Sequence, residues 1–582
     1  MAENLRGTFG PRWIDRQTVQ LQLWAPRARR VDLWLRAAGD EHTLPMARGN
    51  DEVFRAEVRR PPAGLRYAFA RDGGPPLPDP AAHWLPDGPL GWSELLRLRP
   101  PPRDRTFAPR PFATATIYEL HVGAFTGPGT YRAAIERLDH LATLGIDVIE
   151  LMPLCAFPGA RNWGYDGVAH FAPPASYGTP RDLQRLVAEA HRRGLAVILD
   201  LVTNHFGPEG NAMWQLARGF FDPHRRTPWG PPPRFSSAMV RAYFAAVVEH
   251  WLSVFDIDGF RLDAFDAIAR AHRGPHLQQM IERADELRGP RPTWFVLESD
   301  DDESAHLGRH KSAVEVAQLC FDHGRCIYRL ATGERRGVYR RYSDPATRLV
   351  HALASGRSCP IDRGDQPVPR APSSVVPFLQ NHDTAGNRLD GQRLAALLPV
   401  QRSRALQMFC LLYPSPTLLF MGDEFAARTP FFFFCDFSPA LGNRIARSRR
   451  REFAEHPGAD APGPAANTAQ AFLRSKLDWR QIDDEQLQQT RATLKLRRQI
   501  YRGRALRFGD LNCSVQGQLY RVEIRTDTDG YLLLLNLSAT AVDLVEATGE
   551  LLLSSCSDQT AAAASLPANC TQLRRQNAAS PR

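Results

Sequence analysis

Phe255-Asp256-Ile257-Asp258-Gly259-Phe260-Arg261-Leu262-Asp263 follows a helical run over 237–255 and carries the chain into a short apolar strand, Gly-Phe-Arg-Leu-Asp. Side chains at i and i+2 of a strand share a face, so Arg261 and Asp263 look the same way. A guanidinium beside an aspartate favours its charged form, so this strand is expected to end in an ionised carboxylate. That is the state a nucleophile needs. For an isolated pair, a structural ion pair is the better reading. The other strand ends alter the balance.

Outward from this stretch, short apolar runs alternate with helical ones. Residues 115–122, 146–151, 195–201, 259–263, 293–298, 317–322, 375–380 and 417–421 read as strands, with helical patterns over 131–144, 180–193 and 237–255 among those between them. Apolar strands separated by helices predict a parallel (β/α)8 TIM barrel. An open doubly wound sheet is the alternative, but neither a Gly-x-Gly-x-x-Gly turn nor a Gly-Lys-Ser/Thr loop accompanies it. Before the barrel, 19–24, 31–35, 53–58 and 67–69 alternate apolar and polar between Pro and Gly turns, as in a small antiparallel β-sandwich. A Pro-rich linker over 99–103 follows. After the barrel come a helix over 484–502 and alternating runs at 520–525 and 530–537. The expectation is a multidomain α/β chain: a β-sandwich over 1–104, the barrel over 105–480, a C-terminal helix and small β-domain over 481–560, and a flexible tail over 561–582.

At 582 residues the chain exceeds one ordinary core. Its net charge of +10 is almost all arginine, the lysines being Lys311, Lys476 and Lys495. The basic runs at 447–451 and 335–336 read as solvated faces, so no nucleic-acid partner is expected. Nine scattered cysteines without a CxxC pair fit a reducing compartment and argue against a disulfide framework or a zinc site. The first residues lack an apolar leader, and no stretch is long and apolar enough to span a bilayer. A soluble cytoplasmic protein is expected.

Barrel chemistry lies at the C-terminal strand ends. Here those ends carry Asn204 and His205, Arg261 and Asp263, Glu298, then Asn381, His382 and Asp383. One such histidine alone would more often be structural, but the converging set is not what core packing produces. His-Glu-x-x-His is absent, so no metal site is expected; Gly-x-Ser-x-Gly is absent too, against a serine triad. Glycoside chemistry remains, with one carboxylate attacking the anomeric carbon and another protonating the leaving oxygen, the two ~5–5.5 Å apart for retention.

The segments Asp200-Leu201-Val202-Thr203-Asn204-His205, Gly259-Phe260-Arg261-Leu262-Asp263, Glu298 after its strand and Asn381-His382-Asp383 resemble, in order, the four signature regions of the α-amylase family of glycoside hydrolases. The resemblance implies Asp263 as nucleophile, Glu298 as general acid/base and Asp383 as the carboxylate that holds sugar hydroxyls and favours distortion. Arg261, His205 and His382 would line the sugar subsite beside the cut, and Tyr165 would stack on that sugar; packing is the alternative for Tyr165. Within the family, Tyr118-Glu119-Leu120-His121, the run 157–167, Thr227-Pro228-Trp229-Gly230, Leu297-Glu298-Ser299-Asp300 and the aromatic run 431–434 before Asp436 are similar to the maltooligosyltrehalose trehalohydrolases. That likeness reaches from the sandwich almost to the tail. It implies hydrolysis of the α-1,4 bond next to a terminal trehalose in maltooligosyltrehalose or a related α-1,4-glucan, without a cofactor, with a functional partner synthase. A branching enzyme or glucanotransferase of the same family, or a catalytically silent glucan-binding protein, are the rival readings.

The sequence departs from the family at three loops. Phe321-Asp322-His323-Gly324-Arg325-Cys326 lacks the usual paired histidine, Thr384 stands where relatives carry glutamine, and Gly422-Asp423-Glu424 replaces Gly-Glu-Glu. No catalytic carboxylate is lost, but these loops border the acceptor side, where the trehalose end would be selected.

Overall fold

Gly259 has no Cβ, and one placed there would lie 2.3 Å from the Trp294 carbonyl oxygen of the adjoining strand. Only glycine lets the two backbones come this close. In the computed structural model, which describes residues 7–99, 107–310, 313–357, 371–544, 549–556 and 565–576, that strand is the fourth of a barrel. The barrel strands are β1 (Thr116–Leu120), β2 (Val148–Leu151), β3 (Ala196–Leu201), β4 (Gly259–Leu262), β5 (Thr293–Leu297), β6 (Val314–Leu319), β7 (Val375–Val376) and β8 (Thr417–Phe420). Neighbours pair in parallel from β1 through to β7, and β8 pairs with β1. A parallel bridge from Phe378 to Leu418 closes the ring. An antiparallel strand, Gly308–His310, adds to β6.

Two expected strands change. The sixth lies earlier than 317–322, because Phe321 and Asp322 open the helix Phe321–Thr332. The seventh shortens to two residues because Pro377 has no N–H for the ladder.

Period-two alternation divides the barrel interior into two layers. Ile117, Val148, Ile198, Val296 and Leu418 share an apolar cluster low in the barrel. One pleat further along the same faces stand Glu119, Glu150, Asp200 and, beyond β5, Glu298. The interior is thus apolar at the bottom and ionisable at the mouth.

The quoted stretch carries acids at both ends of β4, and they have different fates. Below the strand, Asp256 and Asp258 are buried in an ion cluster: Arg288 lies 2.6 Å from Asp256 and 2.8 Å from Asp258, and His191 lies 2.8 Å from Asp258. Burial would raise Asp258, but His191, Arg288 and Arg291 hold its carboxyl well below the usual range. This bottom cluster belongs to stability, and the mouth is left for chemistry.

The N-terminal sandwich consists of two four-stranded sheets, one containing Thr18–Trp24 and Val53–Arg59, the other Val31–Ala37 and Arg66–Arg71. Its core includes Ala212 and Leu216 from the loop after β3, so it packs directly on the barrel. The linker residues 100–103 lie outside the described residues. At the other end, the helix Asp484–Tyr501 leans on the barrel, where the buried Arg497 donates to the carbonyls of Leu411 (2.7 Å) and Tyr413 (2.6 Å). A five-stranded antiparallel sheet packs its Tyr520, Val522, Leu533 and Leu573 against barrel helices. The expected flexible tail from 561 is corrected here: Cys570–Gln576 is a strand held between Gly530–Asn536 and Glu550–Ser554. Its alternation is hidden by polar residues on either side of Leu573, Thr571 and Gln572 before it and Arg574 and Arg575 after it, although most of the strand is buried.

Candidate active site

Arg261 is buried at the centre of the mouth. Its Nη1 pairs with Asp200 and donates to the Tyr165 hydroxyl at 3.3 Å; Nη2 lies 2.8 Å from Glu298 Oε2, and Nη1 lies 3.6 Å from Asp263 Oδ1. Nε stands 3.9 Å from Glu150. The guanidinium is therefore shared, and its closest partners are Asp200 and Glu298. The pairing of Arg261 with Asp263 alone, expected from their spacing, is corrected by this sharing. Burial, Glu298 and Asp200 raise the Asp263 carboxyl well above its ordinary value, against Arg261 and the Asn204 hydrogen bond. Burial also raises Glu298, with Arg261 opposing and Asp383 reinforcing. The two carboxyls titrate as a pair, and the first proton to leave gives one acid and one anion.

Backbone geometry sets both groups. The Asp263 N–H donates to the Leu201 carbonyl at 3.2 Å, and Asn204 Nδ2 donates to Asp263 Oδ2 at 2.8 Å and to its carbonyl at 2.7 Å. Glu298 Oε2 accepts from the Ala264 N–H at 2.8 Å, and Ala264 is left-handed, with φ 38°.

A second chain of contacts links the remaining predicted residues. His382 Nδ1 pairs with the buried Glu119, whose Oε2 also accepts the His382 backbone N–H at 3.0 Å. Burial alone would lower this imidazole, but Glu119 and Asp383 raise it to about 9. His382 Nε2 lies 2.8 Å from the Tyr165 hydroxyl, which donates to Asp200 at 2.6 Å. The Tyr165 and His382 rings stack with centroids 5.2 Å apart. Asp383 is the most open of the carboxyls, accepting from Asn387 Nδ2 at 3.0 Å. His205 is buried with its Nε2 2.8 Å from the Tyr165 carbonyl oxygen, and burial lowers it to about 4, leaving it neutral.

All seven predicted residues thus meet at one mouth. Others there escaped the sequence reading. Glu119, Glu150 and Asp200 are acids inside apolar strands, a signal that could have marked them. Among the described residues Glu150 has no hydrogen-bond partner, and burial and Glu119 raise it well above its ordinary value, against Arg261. Trp229 stacks over His205 at 4.1 Å and donates to Asp166 at 3.1 Å while remaining 40% exposed. Exposed tryptophan beside a polar mouth is a ready sugar platform.

A cavity of about 420 Å³ opens beside Glu298 and Asp383, with Phe321, Arg325, Tyr328 and Tyr339 in its wall. Arg325 lies over the Phe321 ring at 4.5 Å and pairs with Asp300 at 2.7 Å. Of the residues that depart from the family, Phe321, Gly324, Arg325 and Thr384 line this space; Gly422, Asp423 and Glu424 are not in its wall, where they were expected, and Asp423 instead accepts from Gln380 and Glu424 from the Tyr118 hydroxyl. Thr384 also completes a reciprocal cap with Asn381 on the helix His382–Gly386. Among the described residues, no group of three or more His, Cys, Asp or Glu could hold a metal ion, and no helix is long and apolar enough to cross a membrane.

The family described as alpha amylase, catalytic domain, matches residues 107–222, and carbohydrate-binding module 48 (isoamylase N-terminal domain) matches 8–78. The chain is 33% identical to a malto-oligosyltrehalose trehalohydrolase of Saccharolobus solfataricus, over 84% of this chain and 87% of that one. It is 35% identical to the protein of the same name from Deinococcus radiodurans, over 83% and 81%. A solved Salmonella typhimurium structure described as an alpha amylase superposes with a TM-score of 0.89 at 33% identity, covering 98% of this chain and 100% of that one.

Proposed function

Because the chain belongs to the malto-oligosyltrehalose trehalohydrolases, glycoside hydrolases of the α-amylase family, we propose that it hydrolyses the α-1,4 bond next to the terminal trehalose of maltooligosyltrehalose. The observation that carries the mechanism is the sharing of one buried guanidinium by Asp263 and Glu298, at the ends of adjacent strands.

In the proposed reaction Glu298, as the acid, gives its proton to the glycosidic oxygen while an Asp263 oxygen attacks the anomeric carbon. The C–O bond to the leaving unit breaks, trehalose departs, and the glucan is held as a glucosyl ester of Asp263. Glu298, now a carboxylate, takes a proton from water, and the hydroxyl attacks the same carbon. Asp263 leaves as the anion. Two inversions return the α configuration. Burial raises both carboxyls, so the pair holds one transferable proton, which this mechanism places on Glu298; the low-dielectric pocket also strengthens Arg261 against the charge that develops on its neighbours. Asp383 would hold sugar hydroxyls, His382 would donate from its imidazolium, and Tyr165 and Trp229 would offer ring faces. The cavity beside Glu298 pairs guanidinium groups with aromatic rings, the chemistry a disaccharide leaving group uses.

Product analysis tests this reading. Incubation with maltooligosyltrehalose should release trehalose and one new reducing end per cut, and plain maltooligosaccharide should be cut far more slowly. New α-1,6 branches without reducing ends would point to transfer instead.

A further inference from the structure

Asp383 is held by a side chain that is itself oriented from elsewhere in the fold. Asn387 Nδ2 donates to Asp383 Oδ1 at 3.0 Å. The other end of that amide, Oδ1, accepts from Arg449 Nη2 at 2.7 Å. Arg449 comes from the helix Pro439–Glu452, on the segment after β8, and the same nitrogen also donates to the Gly386 carbonyl at 2.7 Å. We propose that Arg449 and Asn387 are a positioning relay that sets the Asp383 carboxylate for catalysis, an inference resting on the reading of Asp383 as the carboxylate that holds the sugar.

The logic is that of donors and acceptors. A guanidinium has five N–H donors and no acceptor, so the amide oxygen of Asn387 must face it. The amide NH2 is then turned toward Asp383. With Arg449 gone, a 180° flip of the amide would bring its oxygen against the carboxylate. The cation thus acts through the amide: within the described residues Arg449 forms no ion pair of its own.

The surroundings hold the guanidinium in place. It lies 4.1 Å from the Phe433 ring centroid, 4.4 Å from Phe453 and 5.7 Å from Trp163. The backbone it grips is equally constrained, since a Cβ on Gly386 would fall 2.0 Å from Trp163 Cζ2. Trp163 also donates from Nε1 to the Phe432 carbonyl at 2.9 Å, tying the aromatic run 431–434 to the same point. Anchoring the helix would need only the bond to Gly386. The bond to the Asn387 oxygen has no such use, and its direction is toward the active site.

The test uses the full chain and maltooligosyltrehalose, with kcat and KM measured separately. Asn387→Ala and Arg449→Gln should each lower kcat/KM by about 100-fold, the scale of a misplaced catalytic group, with the loss mainly in kcat. Arg449→Lys, still donor-only, should recover part of it. Asn387→Asp, isosteric with asparagine, sets oxygen against Asp383 and should be at least as damaging, which covers an alanine variant that does not fold. In an Asp383→Asn background, Asn387→Ala should cost nothing further, because the group it positions is already neutral. Activity of Asn387→Ala and Arg449→Gln within about threefold of the parent would overturn the relay, as would the same loss in both backgrounds. Undiminished turnover by Asp383→Asn alone would remove the reading of Asp383 itself, and the relay with it.

Discussion

Nη2 of Arg261 lies 2.8 Å from Oε2 of Glu298, the shorter of the guanidinium's two contacts with the pair, since Nη1 is 3.6 Å from Asp263. One cation between two raised carboxyls makes their protonation interdependent. Each can serve its separate step only while the other holds the complementary state.

Neutral isosteres should expose that division. Asp263→Asn removes the attacking oxygen and Glu298→Gln the transferable proton, and each should lower turnover by roughly 10⁴-fold with binding retained. Steady-state kinetics with calorimetric titration of trehalose measures both quantities. Unchanged turnover in Asp263→Asn would overturn its role as nucleophile.

The Glu119–His382 pair predicts a pH effect. His382 is raised to about 9, so its imidazolium and the stability of its ion pair are fully present below the ordinary histidine value and are lost as pH rises through about 9. The alkaline limb of kcat/KM should include this loss. Glu119→Gln removes the carboxylate that raises the imidazole, so the limb should move to lower pH. A limb that does not move would separate His382 from it.

Gly259→Ala tests how the fold serves the site. Its Cβ would meet the Trp294 carbonyl oxygen, a backbone atom that cannot swing aside. Overpacking of this kind costs about 1–3 kcal/mol, and the displaced β4 carries Arg261 and Asp263 with it. A lower melting temperature together with lost activity is expected. Full activity would mean the strands can part without moving the mouth.

Much of this was legible in the sequence, for a physical reason. Buried parallel strands must be apolar, so the eight runs stand out, and an ionisable group at the end of such a run is expensive unless it has a use. Asp263, Glu298 and Asp383 were visible in that way. What stayed hidden depends on contacts across the fold. The sharing of Arg261 among acids of β2, β3 and β5 cannot be read from the i, i+2 spacing of β4, which shows only the pair with Asp263. Arg449 sits 62 positions from Asn387, in a run that reads as a solvated basic face. The strand Cys570–Gln576 was missed because its buried polar residues mask the alternation.

The sandwich should show its own pH dependence. Burial raises Asp79 from the ordinary carboxylate value to about 7, against hydrogen bonds from Ala81 and Tyr67. The folded form therefore binds this proton more tightly than the unfolded one, and stability falls as pH rises through the interval between the two values. Asp79→Asn should flatten the melting temperature of the full chain between pH 4 and about 7. An unaltered slope would assign the dependence to other groups.

The most direct measurement follows the products of maltooligosyltrehalose by proton NMR from the first turnovers. Double displacement through Asp263 predicts trehalose together with a maltooligosaccharide whose new reducing end is first seen as the α anomer, mutarotating afterwards. A first-formed β anomer would contradict the double displacement through Asp263, and products free of trehalose would contradict the site of cleavage.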